Sequence, residues 1–170
     1  MDIQAKLKGE AVTSFATADE VTLCIRGSKT DQLNRGEWRN HFRVKDKGEF
    51  KLCIVEALEM YERWVPERFR GAERHDRLFI WPDGRFLVRN EVQQVLCSAA
   101  VAEGADPDSV GSHSLRIGGA SALWACYKDN ALLRRWGRWS SDAFHGYLWE
   151  ARESSRGVND SMAAADLTQV

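Results

Sequence analysis

Val21, Leu23 and Ile25 alternate with polar neighbours, and Trp38, Asn40, Phe42 and Val44 resume the two-residue period after the turn-rich stretch GSKTDQLNRGE. A period of two sends successive side chains to opposite faces of an extended strand, so the pattern predicts a hairpin whose long basic connection presents Lys29. The spacing then changes. Ile54, Val55, Leu58, Tyr61 and Val65 recur at helical intervals over 51–65, and Pro66 is placed to end that helix.

RLFIWPDGRFLV, residues 77–88, couples a short apolar run to a Pro-Asp-Gly turn and predicts a brief extended connector with some core contacts. A second helix is expected from Asn90, a good N-cap, through Val92, Val95, Leu96 and Ala99 to Gly104. A third covers 114–127 with Leu115, Ile117, Ala120, Leu123 and Trp124 on its apolar positions. Gly118 and Gly119 weaken its propensity, and adjacent helical glycines point to a close approach by a neighbour. A short helix over 130–136 ends at Gly137 as C-cap, and Ser140 or Ser141 caps a last helix carrying Phe144, Tyr147 and Leu148. From Glu153 onward the chain is small and polar, with a weak helical pattern at Met162, Ala165 and Leu167.

These elements define an α+β class, mostly helical, with a small antiparallel hairpin or sheet near the N-terminus. At 170 residues, 44% of them hydrophobic, the chain can bury one sizeable core, and one compact domain is the starting expectation. No repeat or low-complexity tract interrupts it, and the three prolines are isolated. No apolar run reaches the roughly 18 residues of a membrane span or forms a signal peptide, so a soluble, intracellular protein is expected. Cys24, Cys53, Cys97 and Cys126 lack metal-ligand spacing and are expected to be buried reduced thiols, with no metal bound.

Net charge is -1, so any nucleic-acid surface must come from local clustering. Arg26, Lys29, Arg35, Arg39 and Arg43 form one basic group, and Arg134, Arg135 and Arg138 another; the alternative for each is a solvated charged face. Arg26, Arg35 and Arg138 are the expected DNA contacts.

Breaking a phosphodiester without a metal requires a nucleophile, an acid for the leaving oxygen, and cationic donors for the phosphate oxygens. His113 and Arg116 share one helix face through their three-residue spacing, and an arginine there can grip a phosphate bidentately. Trp139 follows 23 residues later and Tyr147 eight beyond that. Taken singly, each has a plainer reading: a packed tyrosine, a core tryptophan, a helix-start histidine.

Together, GSHSLRIGGASAL and GRWSSDAFHGYL resemble the C-terminal motifs of the tyrosine recombinase (phage integrase) family, H-x-x-R, then His or Trp, then the nucleophilic Tyr. The likeness is greatest to recombinases of eukaryotic DIRS-like mobile elements. IRGSKTDQ also resembles the hairpin bearing that family's catalytic lysine, so the resemblance runs over 20–150. It implies that Tyr147 attacks the scissile phosphate and that Lys29 protonates the departing 5′-oxygen. Arg116 would bind the non-bridging oxygens, His113 would assist phosphate binding and proton transfer, and Trp139 would stand where many relatives carry histidine.

The resemblance further implies double-stranded DNA as partner, a tetramer on DNA for an active form, no cofactor, and a nuclear location in a eukaryotic host. It assigns 1–150 to a partial catalytic domain and 151–170 to a tail with the role of a protomer-exchange helix. The chain departs from the family in one respect. A second catalytic arginine is expected on a helix upstream of the lysine hairpin, and no arginine precedes Arg26, which suggests an N-terminally incomplete recombinase. The competing expectations are an inactive DNA-binding or protein-interaction module with the same fold, and an unrelated α+β protein.

Overall fold

A computed structural model describes residues 3–26, 33, 35–45, 52–69, 77–148, 158, 162 and 164. Lys29, His75 and nearly all of the tail lie outside the described residues. The chain divides into two compact units, Met1–Leu87 and Val88–Val170. The class is mixed α+β with a small four-stranded antiparallel sheet, as the alternation of the sequence predicts.

In the first unit, β1 (Ile3–Leu7), β2 (Glu10–Ala11), β3 (Glu20–Ile25) and β4 (Glu37–Phe42) stand in the order β2-β1-β3-β4. β3 and β4 are the anticipated hairpin, in register from Glu20 opposite Phe42 to Ile25 opposite Glu37. β1 and β2 were not anticipated. They are joined at Lys8 and Gly9, both left-handed with φ of 51° and 87°, the geometry of a two-residue hairpin turn. A lysine is costly there, and the Asp19 carboxylate supports it by accepting the Lys8 N–H at 3.1 Å.

Pairing with β3 fixes which face of β4 turns to the core. Val21 and Leu23 of β3 pair with His41 and Arg39, so the core side of β4 carries Arg39 and His41. Trp38 and Phe42 point to the other face and remain 53% and 64% exposed. The period of two is as predicted, and the pairing with β3 decides which of its two faces meets the core.

α1 (Ile54–Trp64) covers the core side, burying Val55 and Leu58 with Ala5, Phe15, Ala18 and Val21. Arg43 fastens the sheet to this helix. It donates to the Ala18 and Phe15 carbonyls at 2.9 and 2.8 Å and to the Glu59 carboxylate at 3.1 Å. Arg39 likewise pairs with Glu37, so these two members of the first basic group serve the fold. After α1, Pro66 opens a 3₁₀ turn, and Arg68, only 3% exposed, donates to the carbonyls of Leu78 and Arg77, both at 2.8 Å. The connector is a small hairpin in which Ile80 pairs with Phe86 around a turn at Gly84.

The second unit is helical: α2 (Arg89–Ala102), α3 (Ser112–Tyr127), α4 (Asn130–Gly137) and 3₁₀ turns at Pro107–Ser109 and Asp142–Tyr147. Val88, not Asn90, is the N-cap of α2. Its N–H donates to the Glu91 carboxylate at 3.0 Å, so an acidic residue three positions into the helix satisfies the N–H of the cap residue. Asp129 caps α4 by accepting from Ala131 and Leu132, and left-handed Lys128 and Arg138 close α3 and α4. Gly137 is therefore the last helical residue, with Arg138 the residue that turns the chain. Ala120, Leu133 and Phe144 are the buried core, with Leu123, Trp124, Trp139, Tyr147 and Leu148 packed around them.

Two further expectations are corrected. Nothing lies within 4 Å of a Cβ placed on Gly118 or Gly119, so no neighbour among the described residues approaches there. Of the free cysteines, Cys24 and Cys53 are buried, but Cys97 is half-buried and Cys126 exposed.

Phe144 has no exposed surface, and Phe144→Ala is expected to destabilise the second unit by about 3–5 kcal/mol in urea denaturation. His41 predicts a pH effect in the first unit. Burial, helped by the neighbouring Arg39 charge, holds its imidazole below its ordinary pKa of 6.5. The folded state thus favours neutral His41, so its contribution is complete above pH 6.5 and is lost as pH falls through the lowered folded-state pKa. His41→Gln should flatten the acid limb of a stability-against-pH curve.

Candidate active site

α3 sets the first two residues of the candidate site. Its N-terminus is fixed by a reciprocal pair, Gly111 N–H to Ser114 Oγ at 3.0 Å and Ser114 N–H to the Gly111 carbonyl at 2.8 Å. Gln93 of α2 anchors the same point, donating to the Val110 carbonyl at 2.7 Å and accepting the Ser112 N–H at 3.2 Å. The helix begins two residues earlier than its apolar pattern suggests, which places His113 in the first turn and Arg116 one turn on. Both are exposed.

Trp139 arrives from the end of α4. The left-handed Arg138 reverses the chain, and the Trp139 N–H returns to the Arg134 carbonyl at 3.0 Å. The indole then lies against Gly137. Tyr147 ends the 3₁₀ turn that Ser141 caps, a tighter element than the expected α-helix, and its carbonyl accepts the Ser121 hydroxyl of α3 at 3.3 Å.

The four side chains meet around the Tyr147 ring. His113 is 5.0 Å from it and Trp139 5.6 Å, centroid to centroid, and the Arg116 guanidinium carbon lies 6.0 Å away. Arg116 sits 4.3 Å above the Trp139 ring and donates to the Gly137 carbonyl at 2.8 Å. The half-buried phenol thus lies beside an exposed cation and an imidazole, and a guanidinium carries five N–H donors, more than the one bond to the Gly137 carbonyl uses. Arg138 supplies further positive charge nearby in sequence. Arg134 is engaged internally, with the Ser140 carbonyl at 3.0 Å and Asp142 at 3.5 Å.

The remaining predicted residues belong to the first unit. Arg26 follows β3 and donates to the Cys24 sulfur at 3.5 Å, and Arg35 precedes β4. They flank the connection that carries Lys29, itself outside the described residues. An open depression of about 700 Å³ in this unit is lined by Ser14, Glu59, Glu62 and Arg63. Its carboxylates are engaged, Glu62 with Ser14 and Phe15 and Glu59 with Arg43. Among the described residues, no group of three or more His, Cys, Asp or Glu side chains could hold a metal ion, and no helix is long and apolar enough to cross a membrane.

No protein-family model, curated protein or solved structure matches the chain. Sequence reasoning missed Gln93, Ser121 and Gly137, which position the others through backbone contacts. A glutamine on a helix gives no such signal in sequence. Only Gly137, beside the tryptophan, could have drawn attention. Gln93→Ala should cost about 1–3 kcal/mol, since it leaves the Val110 carbonyl and Ser112 N–H without this partner, with the loss read by urea denaturation.

Proposed function

We propose that this chain breaks and rejoins DNA strands through a 3′-phosphotyrosyl intermediate, as a catalytic unit of tyrosine recombinase type. The observation that supports this reading most is the meeting of His113, Arg116 and Trp139 around Tyr147, residues the sequence spreads over two helices and a 3₁₀ turn. Packing alone gives no reason for a cation, an imidazole and a phenol to share one partly open corner.

In this reading the Tyr147 hydroxyl oxygen attacks the scissile phosphorus as its proton passes to His113, the P–O5′ bond breaks, and Lys29 gives its proton to the departing 5′-oxygen. Arg116 holds the non-bridging oxygens, where negative charge builds in the transition state. Rejoining reverses the attack, with a DNA 5′-hydroxyl displacing Tyr147, so the energy of the cleaved bond is kept. Duplex DNA is the substrate, and a tetramer on DNA is the active form.

A second reading is a DNA-binding or protein-interaction module that keeps the arrangement without the chemistry. A nicked suicide duplex that traps the covalent step separates the two. The strand-breaking reading expects a covalent adduct on a denaturing gel that disappears in Tyr147→Phe and fades in Arg116→Ala. Salt-sensitive duplex binding with no adduct would establish the module instead.

A further inference from the structure

Gly137 is a glycine whose backbone does not need one. Glycines at helix ends usually serve a left-handed residue, and here that conformation belongs to Arg138, with φ 57°. Gly137 is the last helical residue, and its φ is not among the positive ones. What the position needs is the absence of a side chain. A Cβ on Gly137 would lie 1.6 Å from Cζ3 and 2.0 Å from Cε3 of Trp139, far inside contact distance, and the indole could not stay where it is.

The same residue holds Arg116. Its carbonyl accepts from a terminal guanidinium nitrogen at 2.8 Å while the Trp139 ring supports the guanidinium face at 4.3 Å. A carbonyl at one edge and a π-face beneath fix a planar cation in both position and orientation. We propose that Gly137 is a positioning residue for Arg116, seating Trp139 by having no side chain and orienting the guanidinium through its carbonyl, so that the remaining donors face an incoming phosphodiester. The assignment of a phosphodiester rests on the strand-breaking reading; the seat itself is a property of the second unit.

The test is nuclear magnetic resonance on the full isotope-labelled chain, with inorganic phosphate as probe. Gly137→Ala should move the Arg116 Nε–H and Trp139 indole N–H signals and weaken phosphate binding at Arg116 by about tenfold. Gly118→Ala, at an α3 glycine with no described residue within 4 Å of an added Cβ, should leave both signals and the affinity in place. A folded Gly137→Ala chain with unmoved signals overturns the proposal, as does one with moved signals and undiminished phosphate affinity.

Should Gly137→Ala fail to fold, the wild-type chain decides. Side-chain protons of Arg116 displaced upfield by the Trp139 ring support the seat, and protons at the ordinary arginine position overturn it. These signals are read without DNA. A seated Arg116 with no adduct counts against strand breakage alone, and an adduct with an unseated Arg116 counts against the role of Gly137 alone.

Discussion

The second unit is held by the burial of Phe144 against Ala120 of α3 and Leu133 of α4. α4 and the 3₁₀ turn that carries Phe144 are short, and a helix of eight residues such as α4 has little stability of its own in water. One aromatic side chain removed entirely from solvent contributes several kcal/mol and does so at the point where three elements meet. Its neighbours inherit their order: Trp139 and Tyr147 pack on this cluster with one side and turn the other outward. The candidate site is therefore the open edge of a small core, with no separate scaffold.

That origin explains why its polar members are positioned mainly by backbone groups. His113 and Arg116 depend on the start of α3, which the Gln93 amide and the Gly111–Ser114 pair hold. Tyr147 depends on Ser121 through its own carbonyl, and Arg116 on the carbonyl of Gly137. Backbone partners suit a site near solvent, because they lose no side-chain entropy when they bind. In the first unit charged side chains do the corresponding work, with Arg43 and Arg68 each bonding to two backbone carbonyls.

Much of this was legible in the sequence where period and chemistry agreed. The β3–β4 hairpin, α1 and the three later helices lie close to where alternation and helical spacing put them, and four residues singled out for their chemistry lie together. The departures have local causes. The β1–β2 hairpin turns on Lys8 and Gly9, and Lys-Gly lacks the Asn or Asp that usually marks such a turn; its support comes from Asp19, remote in sequence. β4 turns its aromatics outward because its register with β3 sets Arg39 and His41 opposite Leu23 and Val21, a pairing that a hydrophobic ranking of the strand by itself does not contain. Asn90 does not cap α2 because the helix already starts at Arg89, with Glu91 accepting the N–H of the N-cap Val88. The role of Gly137 depends on where Trp139 lands after a left-handed residue, a three-dimensional fact without a one-dimensional trace.

The open surroundings of Gly118 and Gly119 have a consequence for anyone preparing this protein. Glycine in a helix interior costs about 0.8–1.0 kcal/mol relative to alanine, and among the described residues neither position has a neighbour that a methyl group would strike. α3 thus carries an unused margin of melting temperature directly beside the candidate site. A protein engineer could recover it with two methyl groups, without changing any charge.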